Sequence, residues 1–297
     1  MTMIRPVTVT RADIVTGLRV AGLAAGDRVM VHSSLRAFGR VEGGPAAVIA
    51  ALQAVVTEKG TLLFPSFNHD TIFQDKDHRP IPGACYDPRT SPTIDGIVPE
   101  TFRKMPGVVR SLNPTHPYAA WGAGAEALVK NHHRVLTMGA GSPLALLEEQ
   151  DGKVALLGVG YGPNTFKHVV EQTNHTPCLG LRTEEHPVRL SDGRIVKGRT
   201  WGWRAQNCPL TEAPEPIATL MAAAGADRRH RVGNAEIIVF RLRECRPVIE
   251  NLLKNGRTGH PPCGRCPVRP RTSLYTVPSD WDAAHDRLLP GSEALSY

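Results

Sequence analysis

Residues 153–171 read KVALLGVGYGPNTFKHVVE, and this stretch decides the fold. Lys153–Val159 is a short, nearly continuous apolar run, which is typical of a buried strand. A glycine-rich turn follows at Gly160–Pro163, and Asn164–Thr173 has the pattern of a helix with Asn164 or Thr165 as its cap. A buried strand, a tight turn and a helix in this order indicate an α/β protein, in which ligands bind at the carboxyl ends of strands.

The same alternation of strands and helices extends in both directions. Further strands are predicted at 28–32, 61–67, 108–112, 118–121 and 236–242, and helices at 10–24, 46–56, 94–105, 125–132, 144–150, 212–224 and 242–253. A Ser-Asp-Gly turn at 191–193 predicts a hairpin. We therefore expect an α/β fold with a mixed central sheet flanked by helices and an antiparallel hairpin insertion around 181–200.

Length and composition limit the organisation of the chain. It has 297 residues, of which 41% are hydrophobic and 21% charged, as expected of a folded soluble protein. We expect one domain over 1–256 and a Pro/Arg-rich extension over 257–297. No run approaches about 20 apolar residues, and no signal peptide is evident, so we expect no membrane span and a cytoplasmic location.

The charge balance is basic, with 35 Lys and Arg against 28 Asp and Glu and a formal net charge of +7. A basic protein can bind polyanions. The excess is spread along the chain, however, and its densest parts at 228–231 and 265–271 lack the interleaved aromatic residues of RNA-binding surfaces. We therefore expect no nucleic-acid partner, whereas a phosphate-bearing cofactor would use the same charge.

His168 and Glu171 are the first candidates for chemistry. They are three residues apart on the predicted helix and therefore share a face. A carboxylate beside an imidazole orients the ring and raises its basicity, which makes a general base. The same spacing also fits a solvated ion pair without a catalytic role.

Two other polar segments follow predicted strands. His32-Ser33-Ser34-Leu35-Arg36 could hold a polar cofactor arm, or could be a turn with capping serines. In the segment 110–117, two prolines stiffen the backbone around His116, which could equally be a structural histidine. The glycines at 158, 160 and 162 do not form GxGxxG, and no Gly-x-Ser-x-Gly occurs, so neither dinucleotide binding nor covalent hydrolysis is favoured.

Five stretches in order resemble one enzyme family. The chain is similar to the aminoglycoside 3-N-acetyltransferases over roughly residues 10–250, in VHSSLRAFGRVEGGPAAVIAAL (31–52), GTLLFPSF (60–67), RSLNPTHPYAAWG (110–122), GAGSPLALLEEQDGKVALLGVG (139–160) and NTFKHVVE (164–171). The family often has a His and a Ser where this chain has Asn113 and Pro117.

The resemblance implies transfer of the acetyl group of acetyl-CoA to the 3-amino group of an aminoglycoside, which confers antibiotic resistance. His168 and Glu171 match the family's catalytic pair. The implied cofactor contacts are His32, Ser33, Ser34, Leu35, Arg36 and Ser111. As acceptor contacts we predict Asp70 and Asp87, two acidic residues of the variable loop at 68–92, together with Asn164 and Glu171. Direct attack by the amine needs a base to take its proton and donors for the thioester oxyanion, such as backbone amides at 33–36.

The remaining hypotheses concern the acceptor and the C-terminal cysteines. The same chemistry could act on another amine, such as an amino sugar or an aminophosphonate intermediate. Cys263-Gly-Arg-Cys266 is one half of a zinc site, which Cys245 and His260 could complete. Structural zinc is possible but not favoured over unpaired thiols or a reversible disulfide. A zinc- or nucleic-acid-binding protein is the remaining alternative, and the sequence does not predict the oligomeric state.

Overall fold

The computed structural model describes residues 8–74, 81–135, 137–174, 183–201 and 215–256. The helices are α1 (Arg11–Val20), α2 (Gly44–Val56), α3 (Ile97–Phe102), α4 (Ala125–Val129), α5 (Pro143–Glu149), α6 (Phe166–Thr173), α7 (Glu215–Ala223) and α8 (Leu242–Asn255). The strands are β1 (Thr8–Val9), β2 (Arg28–Ser33), β3 (Arg40–Val41), β4 (Thr61–Pro65), β5 (Val109–Arg110), β6 (Tyr118–Gly122), β7 (Lys153–Leu157), β8 (Thr183–Arg189), β9 (Ile195–Trp201), β10 (Asp227–Val232) and β11 (Ala235–Arg241).

A seven-stranded mixed sheet forms the centre of the fold. Its order is β10-β11-β7-β2-β4-β6-β5. The three middle strands, β7, β2 and β4, are parallel, and the strands on either side pair antiparallel. The expected mixed α/β sheet is confirmed. The carboxyl ends of β7, β2 and β4 therefore meet at one edge.

Helices cover both faces of the sheet. Met30 and Leu63 belong to the hydrophobic core on the side of α4, α5, α6 and α8. Their neighbours Val29, Val31 and Leu62 belong to the core on the side of α1, α2 and α3. Successive residues of a strand point to opposite faces, so these apolar runs are buried on both sides, as expected of central parallel strands.

Local sequence signals account for several helix starts. Thr10 accepts a hydrogen bond from the Asp13 backbone, and the Asp13 carboxylate bonds back to the Thr10 N–H, which forms a capping box on α1. The Ser142 hydroxyl accepts from the Ala145 N–H, and Pro143 occupies the first turn of α5. Thr and Ser are residue types that favour the N-cap position.

β10 is a strand that the sequence analysis did not predict. Its residues Asp227–Val232 pair antiparallel with β11 at the edge of the sheet, where Arg228, Arg229 and Arg231 are exposed. Charged side chains discourage pairing of an edge strand with other chains. The dense group of basic residues at 228–231 therefore lies on an edge strand.

The predicted hairpin is β8 and β9, which pair with each other outside the central sheet. A bridge between Tyr86 and Val188 joins it to the segment after β4. A separate apolar cluster lies under this junction and contains Ile72, Phe73, Tyr86, Leu112, Val188 and Leu190.

The last described element, α8, ends at Asn255, one residue before the predicted end of the domain, and 257–297 lie outside the described residues. Across the described ranges, no helix combines the length and the apolar character needed to cross a bilayer.

Candidate active site

His168 and Glu171 form a direct contact on α6. The Nδ1 atom of His168 lies 2.8 Å from Oε2 of Glu171. The Glu171 side chain is fully buried, whereas that of His168 is 23% exposed. With the Nδ1–H donated to the carboxylate, the lone pair of the ring lies on Nε2. A buried carboxylate thus orients a partly accessible imidazole, which is the arrangement that a general base requires.

Both ends of the segment that carries this pair are fixed. Lys167 is buried and its Nζ donates to the carbonyl of Gly162 at 2.9 Å, which ties the glycine-rich turn to the first turn of α6. At the other end, the Arg246 guanidinium bonds to both oxygens of Glu148 on α5 and to the Thr173 hydroxyl. Such contacts anchor the helix on both sides of His168.

The predicted cofactor segment adjoins this turn. The Ser34 N–H donates to the Leu157 carbonyl at 2.9 Å, which links the ends of β2 and β7. Gly158 has a φ of +68°, and a Cβ there would lie 2.5 Å from Ala37 Cβ and 3.3 Å from the Ser34 carbonyl oxygen. Only glycine permits this approach. The two glycine- and serine-rich turns therefore form one surface.

His32 and Ser33 end β2 at this edge. His32 is buried, and burial, reinforced by the nearby charge of Lys167, lowers its pKa to about 3, so its imidazole is neutral. The Ser33 hydroxyl is buried and has no hydrogen-bond partner in the described part of the chain. Buried polar atoms are normally bonded, so this hydroxyl fits contact with a polar ligand. Arg36 is exposed in the short 3-10 helix Leu35–Phe38.

Thr165 connects three elements at the start of α6. Its Oγ1 lies 3.5 Å from His32 Nε2 on β2. Burial raises the pKa of Tyr118, the first residue of β6, and a hydrogen bond between Tyr118 and Thr165 opposes that shift. The structure thus brings the predicted cofactor segment, the predicted catalytic helix and the 110–118 segment together.

Ser111 is an interior hydroxyl in the structure. It is fully buried, its Oγ lies 2.9 Å from His132 Nδ1, and it accepts from the Tyr118 N–H at 2.8 Å. The side-chain Oδ1 of Asn113 accepts from the His116 N–H at 2.9 Å. These bonds give Ser111 and Asn113 structural roles in shaping the segment. A direct cofactor contact by Ser111 remains a prediction.

The three predicted acceptor contacts besides Glu171 belong to three different segments of the chain. Asp70 is exposed and lies 3.3 Å from Nε2 of its neighbour His69. Asp87 bonds to Arg89, and although burial acts in the opposite direction, these bonds lower the pKa of the carboxyl. Asn164 is buried and its Oδ1 accepts from the Phe166 N–H at 3.3 Å, so the geometry makes it a residue that stabilises the start of α6.

Cys245 does not fit the zinc set that the sequence suggested. It is fully buried in the core on α8, 4.0 Å from the Asn164 amide, and burial raises the pKa of its thiol to about 12. Zinc binds the thiolate form of cysteine, and the other ligands must be able to reach the same ion. A buried thiol that stays protonated meets neither requirement. His260, Cys263 and Cys266 lie outside the described residues, and within the described ones no three metal-ligating side chains cluster.

Sequence reasoning missed Tyr118, His132 and Lys167 as parts of this site. Tyr118 and Lys167 lie inside the stretches that carried the resemblance, but an isolated Tyr or Lys has no pattern of its own. His132 is bonded through Nδ1 to Ser111 and through Nε2 to the Thr137 carbonyl, and both contacts depend on tertiary structure. These residues could be found only after the strands were placed side by side.

Comparison with known proteins shows that this chain is similar to acetyltransferases. The family model for aminoglycoside 3-N-acetyltransferases matches residues 30–254. Aminoglycoside N(3)-acetyltransferase VII of Streptomyces paromomycinus is 36% identical over 255 residues, which are 80% of this chain and 88% of that protein.

Two solved structures share the fold. AAC-IIIb in a binary complex with CoASH has a TM-score of 0.70 at 29% identity and covers 84% of this chain and 97% of its own. Sisomicin-bound AAC-VIa has a TM-score of 0.70 at 26% identity and covers 84% and 98%.

Proposed function

Because this chain belongs to the aminoglycoside 3-N-acetyltransferase family, we propose that it transfers the acetyl group of acetyl-CoA to an amino group of an aminoglycoside, with His168 as general base. The observation that carries the residue assignment is the 2.8 Å contact between His168 and the buried carboxylate of Glu171. One relative binds CoASH and another binds sisomicin, which supports these two substrates here.

The reaction needs a neutral amine next to an activated acyl group. Acetyl-CoA supplies that group as a thioester. The amine nitrogen forms a bond to the carbonyl carbon, its proton passes to His168 Nε2, and the carbon–sulfur bond breaks as the CoA thiolate leaves. Glu171 keeps the ring in the tautomer with Nδ1–H and stabilises the imidazolium that forms.

The end of β2 is the proposed contact surface for the CoA arm. The Ser33 hydroxyl, buried without a bonded partner in the described ranges, is the observation that fits this role. Backbone N–H groups at 33–36 are the proposed donors to the thioester oxyanion. The exposed guanidinium of Arg36 would contact the phosphates.

We expect His168→Ala to lower kcat by about 100-fold or more, because a positioned general base contributes that much. Glu171→Gln, which keeps the shape and removes the charge, should lower kcat in the same direction. The measurement is release of free CoA thiol from acetyl-CoA in the presence of aminoglycosides, with acetyl-CoA binding determined by calorimetry.

His230→Gln is the matched control, since His230 lies on the edge strand β10. Unchanged kcat in His168→Ala with unchanged folding would remove His168 from the mechanism. If no aminoglycoside gives thiol release but simple amino sugars are acetylated, the acceptor is an amino sugar and not an aminoglycoside. The structure offers support for an amino sugar as acceptor, because Asp70 and Asp87, the carboxylates predicted to bind a polycationic aminoglycoside, already contact His69 and Arg89.

A further inference from the structure

Tyr86 joins three parts of the molecule that are distant in sequence. Its side chain is fully buried, and its hydroxyl donates to the carbonyl of Ser111 at 2.9 Å. The Arg110 guanidinium lies over its ring at 5.1 Å from the centroid. Its backbone N–H and carbonyl pair with Pro187 and Arg189 of β8 at 2.9 and 2.7 Å. Tyr86 therefore connects the β8–β9 hairpin to the sheet.

Arg110 fixes the loop on the other side of this junction. One terminal nitrogen donates to the Ser91 carbonyl at 2.5 Å and the other to the Ser66 carbonyl at 2.6 Å. Longer contacts reach the carbonyls of Pro88 and Pro92. Burying a guanidinium is costly unless such acceptors surround it. The loop 86–95 is thus held against the end of β4.

The hairpin rests directly on the 111–118 segment. A Cβ at Gly198 of β9 would lie 2.9 Å from Pro114 Cδ and 3.2 Å from the Leu112 carbonyl oxygen. That segment continues into His116 and Tyr118, and Tyr118 contacts Thr165 at the start of the catalytic helix. A shift of the hairpin would therefore move one wall of the site.

The cofactor surface has different supports. Ser34 bonds to β7, and Ala37 packs on Gly158. The hairpin contacts described above involve neither residue. They reach Ser111, the remaining predicted cofactor contact, only at its backbone carbonyl, whereas its hydroxyl is held by His132 and by the Tyr118 N–H. Loss of the hairpin junction should consequently weaken binding of the acceptor amine and leave binding of acetyl-CoA unchanged.

We propose that Tyr86 and Arg110 are positioning residues that seat the β8–β9 hairpin on the 111–118 segment and thereby set the affinity for the acceptor amine but not for acetyl-CoA. The predicted effect on acceptor affinity rests on the proposed function. The seating of the hairpin stands on the contacts of Tyr86 and Arg110 alone.

Tyr86→Phe is the sharpest test, because it removes only the hydroxyl that bonds to Ser111 and keeps the ring under Arg110. We expect KM for the acceptor to rise about 3- to 10-fold, as expected for one buried hydrogen bond, with kcat and KM for acetyl-CoA within about twofold. Arg110→Met should raise the acceptor KM further, and Arg110→Lys should recover part of the loss.

Thr61→Val is the matched control. It removes another buried hydroxyl that donates to a backbone carbonyl, that of Ala123, but at the opposite end of β4. A merely structural effect would make the two variants alike in all kinetic constants. An equal rise of both KM values in Tyr86→Phe would overturn the proposal.

Hydrogen exchange of the β8 and β9 amides supplies a readout that does not depend on activity. We expect about 3- to 10-fold faster exchange in Tyr86→Phe than in Thr61→Val, since a weaker junction lets the hairpin open more often. Unchanged exchange overturns the proposal whatever the kinetics. If the wild-type protein acetylates no amine, the proposed function fails, and the exchange comparison alone decides the seating role.

Discussion

Asp95 shows how one buried carboxyl can fix a turn beside the site. Its Oδ2 accepts from the Phe67 N–H at 2.5 Å and from the Thr93 hydroxyl at 2.8 Å, where the chain leaves β4. Burial raises its pKa from 3.8 to about 6, against the effect of these hydrogen bonds and of Arg110. The ionised form is therefore disfavoured in the folded state.

This shift predicts a pH dependence of stability. Between pH 3.8 and about 6 the folded chain keeps a proton on Asp95 that the unfolded chain has released. The free energy of unfolding should therefore fall as pH rises through this window, and the loss is complete above it. Relative to wild type, Asp95→Asn should gain on the order of 2–3 kcal/mol between pH 4 and 7, measured by urea unfolding.

Asp192→Asn in the hairpin turn is the control for this experiment. Hydrogen bonds to Arg194 lower the pKa of Asp192, so any pH-dependent difference there has the opposite sign. A constant difference between Asp95→Asn and wild type from pH 4 to 7 would show that Asp95 has an ordinary pKa.

At the level of single residues, local spacing predicted some contacts and not others. The three-residue interval between His168 and Glu171 places both side chains on one face of a helix, so their contact followed from the sequence. The roles of Thr165 and Tyr118 did not follow, because they depend on β2 and β6 lying beside α6. Asn164 bonds to the backbone at the start of its own helix, as a cap would, and its contact with the acceptor stays a prediction.

Among the elements, α6 depends on its packing against α5 and α8. Arg246 bonds to Glu148 with two contacts of 2.5 Å, and its guanidinium lies over the Phe166 ring. The Glu148 side chain is largely buried. Removal of the arginine would leave that carboxylate without its principal partner, which is costlier than loss of an exposed pair.

We expect Arg246→Met to lower the free energy of unfolding by about 2 kcal/mol. Arg243→Met is the matched control on the same helix, because Arg243 and Asp151 form an exposed pair at 3.8 Å. That change should cost less than about 0.5 kcal/mol. Equal losses in the two variants, measured by urea unfolding, would contradict a special role for the Arg246 contacts.

Prediction of the elements succeeded where apolar periodicity was strong. β2, β4, β7, β11, α1 and α2 were all placed correctly, because each has a clear apolar run or a cap. α3 is shorter than predicted, at Ile97–Phe102. β10 was missed because its exposed arginines gave no strand pattern, and pairing with β11 decides its conformation.

For the whole molecule, the predicted end of the domain at residue 256 can be tested by truncation. All described elements lie within residues 8–256, and the family model ends at 254. We expect a chain that ends at Gly256 to keep its Tm within about 2 °C and its kcat/KM within about twofold, because no described element is removed. A large loss of either would mean that residues 257–297 contribute to the domain.

The fold class could be predicted for the whole molecule, but the arrangement of the site could not. Alternating strands and helices indicated a mixed α/β sheet, which the structure confirms. The order of the strands is set by pairings between distant residues. Because the strand order was unknown, nothing in the sequence indicated that Gly158 lies close to Ala37 or that Gly198 packs against Pro114.

The pairing of β2 with β7 also has a consequence for synthesis of the protein. Val29 pairs with Lys153, about 120 residues later in the chain. While the ribosome is still translating the segments between them, β2 lacks one neighbour and its pairing edge is open to other chains. The nascent chain therefore has no complete site before β7 and α6 emerge, and the open edge of the sheet then passes to β7 until β11 pairs with it.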